Sequence, residues 1–319
     1  MFDTCRSANE HAGGESHYRS ASSGAVSYGP FPVTAERAPR RHTPEGSQMS
    51  VPNPPPPNRT LFISRQESIA ATLRGAGCVF AEQEAAVLLE ATISPTELAR
   101  MIERRIAGEP LESIVGWAEF CGLRIRIDPG VFVPRRRTEF LATQACSLLE
   151  PGYRVIDLCC GSGAVGAVLQ SKVSPIDLYA IDVEPAAVRC ALRNISAPGH
   201  VMEGDLYDCL PHELHGHINV IVANAPYVPT DSIRLMPPEA RLHEPLISLD
   251  GGIDGLDVQR RVAADAATWL EPGGHLLIET SAEQVERTFE SVTQGGLRAR
   301  TASLDATSAT VVIGTKPAH

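Results

Sequence analysis

A polar tetrapeptide, Asn224-Ala225-Pro226-Tyr227, follows a short apolar run at 218–223 that is typical of a buried parallel strand. The side-chain oxygen of Asn224 and the backbone carbonyl of Ala225 can both accept hydrogen bonds from one NH2 group, because Pro226 restricts the residue before it to an extended geometry. Tyr227 supplies a flat wall for a planar group. Two acceptors on its hydrogens favour the geometry in which an amide or amine nitrogen can attack. The same residues would also suit a simple turn after a strand.

A second candidate site is the loop that leaves an earlier predicted strand and enters a helix. Its glycines, Gly161 and Gly163, allow a ligand to approach the backbone at a helix N-terminus. The loop lacks the dinucleotide fingerprint G-x-G-x-x-G, because Cys159 stands at the first glycine position, and it lacks the Gly-Lys-Ser/Thr of a P-loop. An acidic residue at the start of the turn favours a cationic or hydroxylated ligand over a pyrophosphate. The candidate binding residues of this loop are Asp157, Cys159, Cys160, Gly161, Ser162 and Gly163.

Two further acidic residues follow the next two predicted strands. Asp182 ends the strand at 177–182, and its carboxylate can either accept both ribose hydroxyls of a nucleoside or cap the helix that follows. Asp205 lies past the third strand, where an adenine amino group would reach it, and Leu206 with Tyr207 would cover the adenine. Because parallel strands present their carboxyl ends at one edge of a sheet, we expect these residues, the glycine loop and the tetrapeptide to share one crevice.

Strand and helix patterns alternate from residue 153 onward, which predicts a mostly parallel sheet covered on both faces. The last two strands have no helix between them and predict an antiparallel hairpin. The predicted strands are 153–158, 177–182, 199–202, 218–223, 273–280, 297–303 and 309–315. The predicted helices are 164–171, 185–195, 255–269 and 281–292.

The chain before that sheet divides into three segments. Residues 1–60 are rich in Ser, Gly, Pro, Arg and His without hydrophobic periodicity, which predicts a disordered leader; a mis-assigned start, with Met49 as the true one, and a transit peptide are alternatives. Residues 61–116 show helical spacing and a capping box at Ser94-Pro95-Thr96-Glu97, and predict a small helical bundle suited to substrate docking. Residues 117–137 alternate as a β-hairpin linker, and 138–319 hold the sheet.

Composition argues against several classes of protein. The 319 residues carry a formal net charge of −10, so an extended nucleic-acid footprint is not expected. No run of about 18 apolar residues predicts a membrane span, and no apolar core of a secretory signal is visible. The eight cysteines form no C-x-x-C pair, which fits reduced cytosolic thiols, and the ten histidines show no metal spacing. We therefore expect a cytoplasmic monomer without a metal, a stable nucleic-acid partner or a membrane partner.

With these motifs in order, the chain resembles the protein-(glutamine-N5) methyltransferases of the HemK/PrmC type, which act on the Gly-Gly-Gln loop of peptide-chain release factors. The resemblance covers residues from about 62 to about 315. It is carried by the glycine loop, Asp182, Gly204-Asp205 and the tetrapeptide. Further matching motifs are Glu109-Pro110-Leu111, Ile114-Val115-Gly116, Phe120–Leu123, Phe132–Arg135, Thr138-Glu139, Glu244-Pro245, and Gly251–Asp257 followed by Arg260.

The resemblance implies an α/β fold of the Rossmann-like class I methyltransferase type, with a seven-stranded, mostly parallel sheet and a small N-terminal helical domain. S-adenosyl-L-methionine would be the methyl donor, held by the glycine loop, Asp182, Asp205, Leu206 and Asn224. The Asn224 Oδ1 atom and the carbonyl of Ala225 would hold a glutamine side-chain amide in line with the methyl sulfonium. No strong base is expected, because the sulfonium is a very good electrophile and the proton can leave late. The implied partner is a protein, either a release factor or another glutamine-bearing substrate.

Four departures from the family pattern indicate a divergent branch, whose protein substrate need not be a release factor. Ala225 replaces a first Pro, Arg136-Arg137 replaces Pro-Glu, Cys159-Cys160 replaces Gly-Thr, and Ser308–Val311 replaces a Gly-x-x-Arg. Two alternatives stay open: a nucleic-acid methyltransferase acting on adenine N6 or a related amine, and a non-catalytic module that binds S-adenosylmethionine. A nicotinamide oxidoreductase and a serine or cysteine hydrolase are disfavoured, because their sequence fingerprints are absent.

Overall fold

The computed structural model describes residues 59–318, with side chains from residue 64 onward. The predicted leader and the alternative start at Met49 lie outside the described residues, except that the first helix already begins at Arg59. None of the helices in this described part is long and apolar enough to cross a bilayer.

From residue 59 onward, four helices precede the first described strand: α1 (Arg59–Gly75), α2 (Ala81–Ala91), α3 (Pro95–Ile106) and α4 (Leu111–Val115). They bury a common apolar cluster that includes Leu73, Leu88 and Leu98. Val79 and Phe80 are apolar residues whose spacing within 61–116 predicts a buried helical face, but they lie in the turn between α1 and α2 and are 85% and 65% exposed. That expectation was wrong because the chain turns at Gly77, which has a φ of 96°.

Helix α3 begins where the capping signal predicts. The Ser94 Oγ atom accepts a hydrogen bond from the Glu97 backbone N–H at 3.3 Å, and Pro95 is the first helical residue. The Glu97 carboxylate accepts from the Thr92 hydroxyl instead of from the Ser94 backbone, so only half of the capping box forms.

A short antiparallel hairpin links the helices to the sheet. Strands β1 (Trp117–Phe120) and β2 (Leu123–Arg126) pair around Cys121-Gly122, whose φ angles of 50° and 78° suit a tight two-residue turn. The chain then runs without regular structure to α5 (Thr138–Cys146). Val131 and Val133 are buried in this stretch but belong to no strand.

Seven strands form the main sheet, in the order β5-β4-β3-β6-β7-β9-β8. They are β3 (Arg154–Leu158), β4 (Asp177–Asp182), β5 (His200–Glu203), β6 (Ile218–Ala223), β7 (Leu270–Thr280), β8 (Arg298–Leu304) and β9 (Ala309–Thr315). Strand β9 runs antiparallel to both of its neighbours, whereas β3 to β7 pair in parallel. This confirms the predicted seven-stranded sheet and its antiparallel seventh strand.

Helices cover both faces of the sheet. The helices of this part are α6 (Ala164–Lys172), α7 (Pro185–Ala191), α8 (Pro238–His243), α9 (Asp257–Trp269) and α10 (Val285–Gln294). One apolar cluster lies under α5, α6 and α7, and a second lies under α9 and α10. Helix α7 is shorter than predicted, and α8 was not predicted. Full burial of β6 residues such as Val220 and Ile221 stabilises the fold by about 1.5–3 kcal/mol per side chain.

The strand order places a crevice above the centre of the sheet. After β3 the chain adds β4 and β5 on one side, and then β6 and β7 on the other. The loops that leave β3 and β6 therefore diverge at the carboxyl edge, which is where ligands bind in open α/β sheets.

Candidate active site

A cavity of about 270 Å³ opens in this crevice between the loops that follow β3, β4, β5 and β6. Every residue that the sequence proposed for the site lines this cavity except Gly163 and Tyr207. Gly163 lies at the start of α6 with a φ of 76°, and a Cβ added there would meet Ala191 and Ile195 at 3.0 Å. Glycine at this position therefore allows the close packing of α6 against α7, and the ligand contact of Gly163 stays a prediction.

The glycine loop is organised by Asp182 at the end of β4. The Gly161 backbone N–H donates to Asp182 Oδ2 at 2.8 Å, and the Glu184 backbone N–H donates to Oδ1 at 2.9 Å. The side chain of Asp182 does not cap α7, whose N-cap is Glu184. Each carboxylate oxygen keeps a second lone pair, so Asp182 can still accept a hydroxyl hydrogen from a ligand in the cavity.

Asp157 is a buried carboxylate at the floor of the cavity. Its Oδ2 atom accepts the Gly166 backbone N–H at 2.9 Å. Burial raises the pKa of the Asp157 carboxyl to about 7, an effect that the Gly166 hydrogen bond opposes and the neighbouring Asp182 increases. A cationic ligand placed against Asp157 and Asp182 would favour their ionised forms, so the cavity is suited to a cation.

The adjacent cysteines are both free thiols. Burial raises the pKa of Cys159 and of Cys160, which keeps both in the protonated, unreactive form. Cys159 has a φ of 55° and lines the cavity, whereas Cys160 is also part of the apolar cluster under α6. Their arrangement supports packing and provides no thiolate nucleophile.

The loop after β5 differs in part from its predicted role. Asp205 and Leu206 line the cavity, and Asp205 forms an ion pair with Arg261 of α9 at 2.9 Å. Tyr207, which was expected beside Leu206 over a nucleoside base, is absent from the cavity lining. Its ring stacks on Trp269 at 5.6 Å between centroids, and its hydroxyl donates to a backbone carbonyl of α9, so it belongs to the core.

The tetrapeptide follows β6, and the side-chain amide of its Asn224 is held by a hydrogen bond to Thr138. The Asn224 Nδ2 atom donates to the Thr138 Oγ1 atom at 3.3 Å, which leaves Oδ1 of Asn224 without a partner among the described residues. Thr138 begins α5 and is buried. The paired acceptors that the sequence proposed, Asn224 Oδ1 and the Ala225 carbonyl, thus sit on one segment at the cavity wall.

Tyr227 is anchored at both ends. Its hydroxyl donates to Glu279 Oε1 at 3.2 Å, and its backbone carbonyl accepts from Gln284 Nε2 at 2.9 Å. The Arg137 Nε atom donates to the same Glu279 oxygen at 3.2 Å, and the guanidinium carbon lies 5.3 Å from the Tyr227 ring centroid. Burial raises the pKa of the Glu279 carboxyl, and the charge of Arg137 opposes that rise.

Glu279 is a site residue that the sequence interpretation missed. It lies at the carboxyl end of β7, is 1% exposed, and follows the apolar run Leu276–Ile278. A charged residue at the end of an otherwise apolar parallel strand was the available signal, because such strand ends face the ligand crevice. Gln284 also escaped notice, since it begins no recognisable motif.

Ion pairs fix the wall of the cavity that the segment from Met236 to Leu249 provides. Arg135 pairs with the buried carboxylate of Glu244 at 2.6 Å. Farther out, Arg105 of α3 pairs with Glu84 of α2 at 2.7 Å and with Glu239 of α8 at 3.5 Å. Side chains from α2, from α3 and from the segment before α5 thus hold this wall in place through ion pairs.

Comparison with known proteins adds three relatives and one family. The family model described as "Methyltransferase small domain" matches residues 122–236. "Release factor glutamine methyltransferase" of Geobacter sulfurreducens is 34% identical over 200 residues, which is 61% of this chain and 69% of that protein. The protein of the same name from Gloeobacter violaceus is 37% identical over 196 residues, covering 59% of this chain and 68% of that protein.

The third relative has a different name. "4-amino-L-phenylalanine/4-methylamino-L-phenylalanine methyltransferase" of Streptomyces pristinaespiralis is 37% identical over 199 residues, covering 60% of this chain and 68% of that protein. The name of this protein refers to an aromatic amine, whereas the names of the other two refer to a glutamine.

Proposed function

The chain belongs to the family of release factor glutamine methyltransferases, and from this premise we propose that it methylates the side-chain amide nitrogen N5 of a glutamine in a peptide-chain release factor. S-adenosylmethionine is the methyl donor of this methyltransferase family. The observation that carries the proposal is the tetrapeptide after β6, which presents the free Oδ1 atom of Asn224 and the Ala225 carbonyl at the cavity.

The lining of the cavity fits S-adenosylmethionine. The buried carboxylate of Asp157 and the half-buried carboxylate of Asp182 suit a ligand that carries a sulfonium and an ammonium group. A Cβ added at Gly161 would meet no other atom within 4 Å, so this backbone borders open space that a ligand can fill. Asp205 and Leu206 line the same cavity and are proposed to lie against the nucleoside.

The acceptor residues act by orientation. When bound, S-adenosylmethionine supplies an electrophilic methyl group on sulfur. Asn224 and the Ala225 carbonyl accept both hydrogens of the glutamine NH2 group, which directs the nitrogen lone pair away from the protein and toward the donor. Tyr227 covers the planar amide. The surrounding carboxylates are buried or hydrogen-bonded, and the proton can leave to solvent after the nitrogen has acquired positive charge.

A second candidate acceptor is the amino group of an aromatic amine. One relative of 37% identity is named for methylation of 4-amino-L-phenylalanine. An aromatic NH2 group also carries two hydrogens and a delocalised lone pair, so the same two oxygens and the same Tyr227 ring would serve it.

Labelled methyl transfer from S-adenosylmethionine tests the proposal. The acceptors are a release factor, the same factor with its Gly-Gly-Gln glutamine changed to alanine, 4-amino-L-phenylalanine, and DNA or RNA. We expect label only in the unmodified release factor, with mass spectrometry placing one methyl group on that glutamine. Transfer to the small amine or to nucleic acid, with none to the release factor, would refute the assignment.

The proposal has consequences for location and organisation. We propose a monomer that acts in the cytoplasm, where a release factor is available. We also propose that residues 61–116 form a docking domain, 117–137 a linker and 138–319 the catalytic domain. The ion pair between Arg105 of α3 and Glu239 of α8 supports this division, because it connects the N-terminal helices to the cavity wall formed by Met236 to Leu249, which we call the acceptor wall.

A further inference from the structure

Two polar groups behind the tetrapeptide each have an unused hydrogen-bonding position. The Thr138 Oγ1 atom accepts from Asn224 Nδ2 at 3.3 Å, so its own proton is available to another acceptor. The Glu279 Oε2 atom is buried and has no hydrogen-bond partner among the described residues. Arg137, the residue before Thr138 in the chain, donates to the other oxygen of this carboxylate at 3.2 Å, which brings Thr138 beside Glu279. A donor that needs an acceptor therefore lies beside an acceptor that needs a donor.

We propose that Glu279 and Thr138 are positioning residues that set the direction of the Asn224 side-chain amide. An ionised carboxylate can only accept, so it requires the Thr138 hydroxyl to donate toward it. That hydroxyl then offers a lone pair to Asn224, which only Nδ2 can use. The Oδ1 atom of Asn224 is thereby turned to the acceptor nitrogen. The inference rests on the proposed methyl transfer and assigns the residues that orient its acceptor site.

An Asn224 side-chain amide rotated to the opposite orientation would make the site inactive. If Glu279 were neutral, the Thr138 hydroxyl could donate to Asn224 Oδ1, and the amide would rotate to present Nδ2 to the cavity. An NH2 group would then face the NH2 group of the substrate, donor against donor. Two hydrogen bonds, one between Thr138 and Glu279 and one between Thr138 and Asn224, thus set the orientation of the Asn224 amide. That orientation decides whether Asn224 assists or opposes binding of the substrate NH2 group in the reactive geometry.

The neighbours of Glu279 oppose the effect of burial on the pKa of its carboxyl. Arg137 and the Tyr227 hydroxyl both donate to Glu279 Oε1 at 3.2 Å. Burial raises the pKa of Glu279, whereas Arg137, Thr138 and Tyr227 lower it.

Three variants test the role of the hydroxyl. Thr138→Val keeps the size of the side chain and removes the hydroxyl, Thr138→Ser keeps the hydroxyl, and Glu279→Gln replaces the obligate acceptor by a group that can also donate. We expect Thr138→Val and Glu279→Gln to lower kcat by about tenfold or more, with the KM for the acceptor and the Kd of S-adenosylhomocysteine changed less than about twofold. Thr138→Ser should retain most of kcat.

The dependence on pH separates orientation from packing. In Arg137→Gln the carboxylate loses its positive partner, so we expect the acidic limb of the kcat profile to move to higher pH. A second readout is independent of turnover: the side-chain 1H–15N resonances of Asn224, assigned by their loss in Asn224→Ala. These should shift as Glu279 titrates in the wild type, and the shift should be absent in Thr138→Val.

The outcomes are distinguishable. A Thr138→Val enzyme with wild-type kcat and pH profile would overturn the inference, and so would a Thr138→Ser enzyme as impaired as Thr138→Val, which would indicate packing alone. If the wild type methylates no acceptor, the proposed function fails. The resonance titration would then still decide whether Glu279 and Thr138 orient Asn224.

Discussion

Asn224 is the single residue on which the proposed methyl transfer should depend most directly, because its Nδ2 atom is bonded to Thr138 and its Oδ1 atom is left for the acceptor nitrogen. We predict that Asn224→Ala lowers kcat by about 10²–10³-fold, the usual cost of losing one preorganised hydrogen-bonding group in an active site. Calorimetry should show that binding of S-adenosylhomocysteine stays largely intact, because the glycine loop, Asp182, Asp205 and Leu206 are unchanged. The matched control is Ala225→Pro, which keeps the backbone carbonyl and should keep activity. Wild-type turnover in Asn224→Ala would refute the catalytic assignment.

Asp157 leads to a prediction about pH. Since burial raises the pKa of its carboxyl to about 7, the free protein holds much of it protonated near neutrality. Cationic S-adenosylmethionine favours the carboxylate, so its affinity should fall as the pH is lowered through about 7, more steeply than that of S-adenosylhomocysteine, which lacks the sulfonium. Calorimetry between about pH 5.5 and 8 measures both ligands. The dependence should disappear in Asp157→Asn, and an equal dependence for the two ligands would contradict the prediction.

The same shift has the opposite effect on the unliganded protein. A carboxyl whose pKa is higher in the folded state than its ordinary value of 3.8 contributes stability that is fully present below that value. This contribution is lost as the pH rises through about 7. Thermal unfolding of the free protein should therefore show a loss of stability over this range that Asp157→Asn removes.

At the scale of elements, the loop before α9 packs closely against the Tyr227 backbone, and this close approach requires a glycine at position 255. Gly255 has a φ of 78°, and a Cβ added there would lie 2.4 Å from the Tyr227 carbonyl oxygen and 2.4 Å from Gln284 Nε2. We predict that Gly255→Ala displaces the tetrapeptide and lowers kcat by about tenfold or more, since a misplacement of about 1 Å can cost 10²-fold.

Gly273 provides the matched control for that prediction. Its φ of 88° imposes similar backbone strain on an alanine, but a Cβ there would meet nothing within 4 Å. Gly273→Ala should lower the Tm and leave kcat unchanged at temperatures well below it. Equal losses of activity in the two variants would show that strain, and not the contact with Tyr227, is responsible.

Elements that follow from local patterns were predictable from the sequence. The apolar run of β6 and the alternation of strands and helices gave the seven strands within a few residues, because buried parallel strands require apolar side chains on both faces. The order of the loops along the chain also placed the glycine loop, Asp182 and Asn224 in one cavity.

Contacts between segments that are distant in the sequence could not be predicted from its patterns. Tyr207 was expected in the cavity, but its ring stacks on Trp269 at the end of α9. The partners of Glu279 come from the start of α5 and from the loop after β6, so no spacing rule links them. Such contacts are decided by tertiary packing, which local propensity does not encode.

At the scale of the whole molecule, Arg105 links the N-terminal helices to the acceptor wall through Glu84 and Glu239. We predict that Arg105→Gln raises the KM for a protein acceptor by about tenfold, the equivalent of one charged hydrogen bond. The Kd of S-adenosylhomocysteine should not change. The control is Arg104→Gln, which removes only a more exposed pair with Glu109 and should leave KM unchanged. An unaltered KM in Arg105→Gln would show that this link does not shape the acceptor site.

The interior position of β9 has a consequence for synthesis on the ribosome. Strand β9 joins β7 to β8, so a nascent chain that has released residues only as far as β8 leaves both of those strands without their shared neighbour. Unpaired strand edges attract other chains. Translation of residues 309–315 thus completes the sheet late, and chaperones that shield the nascent chain would matter most during that interval.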